Sequence, residues 1–400
     1  MSSWFRKRMP IFHYLADHIK HYPAPKNLNF WYFFGVLSLV LLVSQIITGI
    51  WLLMYYVPTA DEAMTSIELM MREVPFGWLF RYVHAAGASF FFVVIYCHMF
   101  RALLYGSYHS PREILWWSGC ILLILFMAEA YTGYVLPWGQ MSYWAARVIT
   151  SLFQVIPFIG DYLVLLIQGD YEVSAVTLHR FFSFHVVLFP LIIIGLVFIH
   201  LIALHAVGSN NPDGVEIKDT LDERGKPKDG IPFHPYYTVK DVMGVGIFLT
   251  IFLSVVFFAP RGWGLVLEPE NFEMANSMVT PAHIKPSWYL APYYAILRAI
   301  PSKSLGALAM LASIAVFFLL PFLDRSPVKS MRYKGPISRI ALGVFVVAFF
   351  GLLIVGGLPA TPVSITIARV CSVLYFSFFL LMPIYSVVDS HKRPPKRLRL

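Results

Sequence analysis

Four histidines are spaced as if to bind metal: His84 and His98 in one apolar stretch, His185 and His200 in another. An ionisable side chain at membrane depth is costly to bury and usually marks a functional site. The partners within each pair lie 14 and 15 residues apart. On a helix those separations rise roughly 21 to 23 Å, most of a ~30 Å hydrocarbon core. Fourteen residues fall about 40° short of four full turns and fifteen overshoot by about 60°, so each pair stays near one helix face. Two such helices side by side offer two stacked His–His sites. One isolated histidine is more often a hydrogen-bonded core residue, but four at matched depths argue for ligands. Zinc gathers three or four N/S ligands in one place, whereas two axial imidazoles per site suit a haem.

The elements that must hold these rings are membrane helices. The chain is 58% hydrophobic and 13% charged, against roughly 25% charged in a soluble domain. Eight apolar segments, near 30–57, 77–105, 114–136, 174–206, 241–260, 304–323, 340–358 and 364–388, are each long enough to span a bilayer. The expected fold is an all-α polytopic membrane protein with a four-helix bundle in its N-terminal half. If all eight span, the side holding both termini carries 22 of the 31 Lys+Arg, which orients it toward the cytoplasm. His84 and His185 then lie near the outer face, His98 and His200 near the inner, and the pairs must be His84 with His185 and His98 with His200.

The net charge of +9 therefore reads as an orientation signal, not a nucleic-acid footprint. The tail His391-Lys392-Arg393-Pro394-Pro395-Lys396-Arg397 reads as a solvated anchor. Cys97, Cys120 and Cys371 lie in apolar stretches, so no disulfide framework is indicated, and the lack of CxxCH argues against covalent haem. The first thirty residues lack the pattern of a cleaved signal and suit a helix on the membrane surface.

A second period matches the histidines. Gly35 and Gly49 are 14 residues apart, and so are Gly119 and Gly133. Taken singly, such glycines mark close helix packing; sharing the histidine period, they suggest clearance for a porphyrin at the same two depths. Arg81 and Arg101 each stand three residues from a histidine on its membrane-surface side. They suit either snorkelling or haem propionates. Two long apolar loops on one face, 137–172 and 261–303, read as walls of a hydrophobic pocket.

Gly-Tyr-Val-Leu-Pro-Trp-Gly-Gln-Met-Ser (133–142), Gly-Ser-Asn-Asn-Pro (208–212), Phe-His-Pro-Tyr-Tyr-Thr-Val-Lys-Asp (233–241) and Ala-Ile-Leu-Arg-Ala-Ile-Pro (295–301) make the chain resemble cytochrome b of the ubiquinol–cytochrome c oxidoreductase, respiratory complex III, in its fused proteobacterial form. The likeness runs from about residue 10 to 388. It implies a surface segment at 1–29, a dihaem bundle with outer loop helices at 30–230, a quinol-pocket region at 231–390 and a basic tail at 391–400. It implies two non-covalent b-type haems, the outer on His84 and His185 and the inner on His98 and His200. Gly35, Gly49, Gly119 and Gly133 match its haem-clearance glycines, and Arg81, Arg101 and Trp116 match residues near the haem edges.

By the same likeness, ubiquinol is oxidised near the outer face in a pocket walled by Tyr134, the 137–155 loop, the turn Pro286-Ser287-Trp288-Tyr289 and Tyr294. Quinone is reduced at the inner face near His205, Ser209, Lys240 and Asp241, where an imidazole and a carboxylate can relay protons. The cycle contributes to a proton-motive force. The implied partners are a Rieske iron–sulfur protein, a cytochrome c1-type subunit, a second copy of the complex and the lipid of a bacterial inner membrane, with both termini cytoplasmic.

Three departures stand out. The His185–His200 spacing exceeds the mitochondrial one by a residue, for which a small ring rotation is expected. Ser287 occupies the place of the family's usual glutamate, and a hydroxyl cannot act as a base near neutral pH; the buried acid Glu129, perched four residues before Gly133, is the expected substitute on the proton path, with a hydrogen-bonded packing acid as the alternative. Ala145 follows Trp144 where glycine is common, and its methyl is expected to crowd the pocket against strobilurin-type inhibitors. The rival functions are a dihaem quinone-reactive anchor subunit of another respiratory dehydrogenase, which would not need the last four helices, and a transporter, which would show inverted repeats.

Overall fold

In the computed structural model, which describes Arg8 and residues 22–398, eight helices are long and apolar enough to cross a membrane. They run Phe30–Leu53, Gly77–Tyr105, Glu113–Val135, Ala175–Val207, Tyr236–Phe258, Lys303–Leu323, Pro336–Gly356 and Pro362–Leu380. All eight expected segments are therefore present. The fifth begins five residues earlier than the hydropathy suggests, which places Lys240 and Asp241 inside its first turns. The surface helix expected for the N-terminus falls almost wholly outside the described residues. Helix starts follow local chemistry: Ser174 and Thr361 are extended residues whose hydroxyls accept from backbone N–H groups of the first turn. Apart from the helices, Pro23–Pro25 pairs antiparallel with Gly230–Pro232.

The first span packs on the second and the third on the fourth, while the seventh and eighth pack together around the short helix Ala291–Ala299. One aromatic-rich core joins this C-terminal group to the second and third spans, through Phe92, Tyr96, Trp116, Tyr289, Phe317, Phe345, Phe349 and Phe379. Indole N–H groups stitch the seam. Trp116 donates to the Phe317 carbonyl at 2.7 Å and Trp117 to that of Phe318 at 3.0 Å. Pro321, four residues after Phe317, has no N–H to offer that carbonyl. Trp116, expected at a haem edge, thus has its one donor committed to the joint between the two halves.

One face of the molecule is tied by buried acids, each gathering bases from distant loops. Asp324 accepts from Tyr108 at 2.5 Å and pairs with His109 at 3.1 Å and with Lys334. Asp213 binds Arg332 and Tyr333, both at 2.7 Å. Glu216 takes Arg112 at 2.5 Å and Lys329 at 2.7 Å. Asp229 holds Lys26 at 3.1 Å and Arg397 at 2.6 Å. The C-terminal tail is accordingly docked by its backbone and its end, with Leu398 buried and Lys392 donating its backbone N–H to Tyr333, while the side chains of His391, Lys392, Arg393, Lys396 and Arg397 stay exposed as expected of a solvated anchor. The reason is that the surrounding loops supply a buried carboxylate that a free tail would leave half-paired.

Burial pushes the Asp324 carboxyl up, but His109 and Lys334 outweigh it and hold it well below the usual carboxylate range. A depressed native value means stability that is complete above the unfolded value and lost as pH falls through the native one. Asp324→Ala leaves Lys334 buried without its counter-charge, and the expected loss is about 3–5 kcal/mol. A thermal melt of the detergent-solubilised protein reads this as a lowered transition; an unshifted melt removes Asp324 from the list of fastening groups.

Candidate functional site

Close helix approach is what brings the four histidines into register. A Cβ added at Gly49 would lie 3.3 Å from His84 Cε1, and one at Gly35 would lie 3.5 Å from His98 Cε1. At Gly119 the neighbour is His200 Cε1 at 3.3 Å, and at Gly133 it is His185 Cε1 at 2.3 Å. Each imidazole of one helix thus rests on a glycine of its packing partner. The nearest protein atoms to each of these glycines are therefore those of an imidazole, at the two levels where the histidine period repeats.

The extra residue between His185 and His200 is absorbed by a π-turn over Phe184–Leu188, where Phe189 N–H donates to Phe184 five residues back. Such single turns are a common way to house an inserted residue at a functional site. Both imidazoles consequently face glycines that are only 14 residues apart. The expected ring rotation is replaced by a local change of helix phase.

His84 and His185 face one another with ring centres 6.1 Å apart and planes at 84°. Two imidazoles bound at ~2 Å on opposite sides of one metal ion put their ring centres about 6 Å apart. The Nδ1 atoms are mostly held by protein. His84 Nδ1 meets Thr48 Oγ1 at 2.9 Å, and His200 Nδ1 meets Ser118 Oγ at 2.8 Å. His185 Nδ1 meets both the Glu129 backbone carbonyl at 2.9 Å and the Glu129 carboxyl at 3.1 Å. This leaves Nε2 of each ring as the nitrogen for a metal, the arrangement that fixes tautomer and orientation in ligating histidines. His98 differs, since its Nδ1 lies 3.3 Å from Arg101 Nη2. Arg101 Nε is buried with no partner, a donor suited to an anionic group. Among the described residues no cluster of three or more His, Cys, Asp or Glu could hold a metal ion, so the residues fit a bis-imidazole group and not a zinc-type site.

A cavity of about 370 Å³ opens at the His84/His185 end. Gly49, Arg81, His84, Glu129, Gly133 and His185 line one part of it, and Tyr134, Asn271, Phe272, Ser287 and Tyr289 line the other. The His84/His185 end and the turn at 286–289 therefore share one space. Of the remaining expected wall residues, Pro137 lines it, while Pro286, Trp288 and Tyr294 stand behind. Trp288 donates to Ser89 at 3.2 Å and Tyr294 to the Ile284 carbonyl at 3.3 Å. The 137–155 loop reaches the wall through Pro137, and the rest of it forms a backing layer: its helix Gln140–Ser151 is fastened to the second loop by Ser142 N–H on Asn271, by Gln140 donating to the Val279 carbonyl and by Asn276 N–H donating to Gln140. Those bonds hold Trp138 in a left-handed backbone conformation with φ 54°. Ala145 is buried within that layer and does not face the cavity.

The acid nearest the cavity phenol is one that the pattern did not single out. Glu268 is 3% exposed and accepts from Tyr134 Oη and from Asn271 Nδ2, both at 3.2 Å. Burial raises its carboxyl above the ordinary range, with Lys285, Tyr134 and Asn271 pulling the other way. In sequence it sits among Glu270 and Glu273 in a polar-looking loop; the apolar run Leu265-Val266-Leu267 just before it was the available signal. Glu129 does line the cavity, but its Oε1 is turned onto His185 and its Oε2 has no partner.

At the opposite end, His205 and Ser209 are joined by Tyr22. The Tyr22 ring stands edge-on to His205 at 4.9 Å, its hydroxyl is 3.0 Å from Ser209 Oγ, and Ser209 N–H donates to it at 2.8 Å. Lys240 lies over the ring of Tyr237 at 5.2 Å, and Tyr237 donates to the Pro25 carbonyl at 2.6 Å. The segment from Tyr22 to Leu28 is thus the element that links the fourth and fifth spans here. Hydropathy offered no hint of it.

Comparison with known proteins agrees with this architecture. Residues 19–208 match the family model for cytochrome b/b6/petB, and residues 274–376 match that for cytochrome b(C-terminal)/b6/petD. The chain is 54% identical to a cytochrome b of Allochromatium vinosum, covering 99% of this chain and 97% of that one. It is 48% identical to a cytochrome b of Rhodospirillum rubrum, covering 95% and 91%. Among solved structures it is similar to a hyperthermophilic respiratory complex III, with a TM-score of 0.90 and 39% identity over 97% of this chain and 99% of that chain.

The glycine contacts rank the four positions. Gly133→Ala puts a methyl where the His185 ring stands, whereas Gly35→Ala adds an ordinary van der Waals contact. The expected outcome is loss of the low-spin bis-imidazole absorption of one haem in Gly133→Ala and retention of both in Gly35→Ala. Equal effects of the two would contradict the ranking.

Proposed function

The chain belongs to the cytochrome b family and is a subunit of a complex III-type electron-transfer oxidoreductase of many membrane spans, and from that premise we propose that it oxidises ubiquinol at the His84/His185 end and reduces quinone at the His98/His200 end. The observation that carries the reading is the single cavity running from His84 and His185 to Tyr134, Ser287 and Tyr289. A hydrophobic substrate bound there would lie beside the first histidine pair. Two b-type haems, when bound, supply the electron path between the two ends.

His84 and His185 hold the outer group and His98 and His200 the inner one. Arg81 and Arg101 offer guanidinium donors to their anionic edges, with the unpartnered Nε of Arg101 as the clearest vacancy for such a bond. At the outer end the pocket must accept two protons as ubiquinol gives one electron to an iron–sulfur partner of the Rieske type and one to the inward path. Ser287 cannot accept them. Tyr134, hydrogen-bonded to Glu268, can pass a proton from the cavity to that carboxylate. The free Oε2 of Glu129 is a second acceptor in the same space. At the other end, His205 and Asp241 deliver protons to the reduced quinone, while Ser209, Tyr22 and Lys240 position it. Released outside and taken up inside, these protons build a transmembrane gradient, with the termini on the cytoplasmic side of a bacterial inner membrane, a cytochrome c1-type subunit completing the complex and two complexes forming a dimer.

Two measurements test this reading. The purified complex should give a reduced-minus-oxidised spectrum with two distinguishable b-type haems, together with antimycin-sensitive quinol:cytochrome c activity; a spectrum without the two haems overturns the reading, and two haems with activity indifferent to an inner-site blocker point to the dihaem dehydrogenase-anchor alternative. As for the acid, a raised Glu268 is in its base form only above the usual carboxylate range, so quinol oxidation should climb with pH there. Glu268→Gln should slow oxidation by about tenfold or more and flatten that limb. Unchanged kcat with an unchanged profile excludes Glu268 as the acceptor.

A further inference from the structure

Of the four ligand imidazoles, one alone is backed by a carboxyl group. His185 Nδ1 is shared between the Glu129 backbone carbonyl and Glu129 Oε1, at 2.9 and 3.1 Å. His84 and His200 meet the hydroxyls of Thr48 and Ser118 and the backbones of Gln45 and Leu115, with no carboxyl among these partners. His98 stands beside a cation, Arg101. The carboxyl is delivered by the backbone as well as the side chain: Glu129 lies on the third span one turn before Gly133, the glycine on which the His185 ring rests. The backbone contact is thus built into the helix pair, and the Glu129 side chain brings its carboxyl to the same nitrogen.

A carboxyl accepting from the far nitrogen of a ligating imidazole makes that ring more basic and a stronger donor to the metal. Stronger donation favours the oxidised ion. A cation at the same nitrogen acts the other way. Arg81 lines the outer cavity too and its charge is felt by His84, but no hydrogen bond sets it against His185, the ring that Glu129 meets. We propose that Glu129 is a positioning residue for His185 whose carboxyl lowers the reduction potential of the haem at the His84/His185 end, so that the two ends differ in potential in the sense that drives electrons toward His98 and His200. This rests on the dihaem reading above and assigns Glu129 a role in addition to proton acceptance.

The test is a spectroelectrochemical titration of the purified complex without quinol, comparing wild type with Glu129→Gln. The amide keeps the size and the backbone contact but removes the acid. The expected result is an outer haem reduced more easily, its reduction equilibrium favoured about tenfold, ~59 mV for a one-electron couple, with the inner haem unmoved as internal control. The ferric outer haem should also change its low-spin electron paramagnetic resonance signal. An outer midpoint that stays in place, or moves together with the inner one, overturns the proposal. Should Glu129→Gln fail to hold the outer haem, Glu129→Asp decides, since its carboxyl is one methylene short of the ring; an unmoved midpoint there overturns it equally. Absence of two b-type haems from the wild type would instead sink the functional reading.

Discussion

The fold depends on helix backbones approaching closely enough for an imidazole to lie on a glycine. Lipid offers no hydrophobic drive between helices, so packing and internal hydrogen bonds must hold them together. Here the tight contacts fall at Gly35, Gly49, Gly119 and Gly133. Each leaves a ring with one nitrogen anchored by protein and one turned inward. A methyl at Gly133 would displace the His185 ring, one at Gly49 or Gly119 would press on its imidazole, and one at Gly35 would make ordinary contact. Helix packing and the placing of the imidazoles are therefore one constraint, most strict at Gly133.

The two faces solve different problems. On one, buried carboxylates bind loops from every part of the chain, and an acid without its bases would be a liability at that degree of burial. On the other, backbone and amide bonds between two long loops leave a cavity open beside His84 and His185. Rigidity at one face and space at the other follow from where the acids are paired.

Much of this was legible in the residues. Eight spans and which histidines lie together could be read from hydropathy and spacing. Arg81 stood out by its distance from His84 and Glu129 as an acid in an apolar helix, while the 286–289 turn was pointed to by the family likeness. What could not be read was contact between loops. Glu268 looks like one acid among several until the chain from Leu265 to Asn271 folds against Tyr134. Tyr22 and the docked tail were hidden for the same reason: they act through partners more than 150 residues away. The direction of Trp116 was equally invisible, since it depends on a carbonyl stripped of its partner by a proline in another span.

The π-turn at Phe184–Leu188 makes the fourth span behave as two rods joined by a slip joint. His185, at the start of the joint, is indexed to Gly133, His200 downstream is indexed to Gly119, and the looped-out residue takes up the mismatch. Losing one residue inside the joint would restore a plain α-turn and leave both indices intact. Losing one between Phe189 and His200 would swing His200 by about 100° relative to His185. The joint thus concentrates tolerance to length change in five residues and leaves the rest of the span with none.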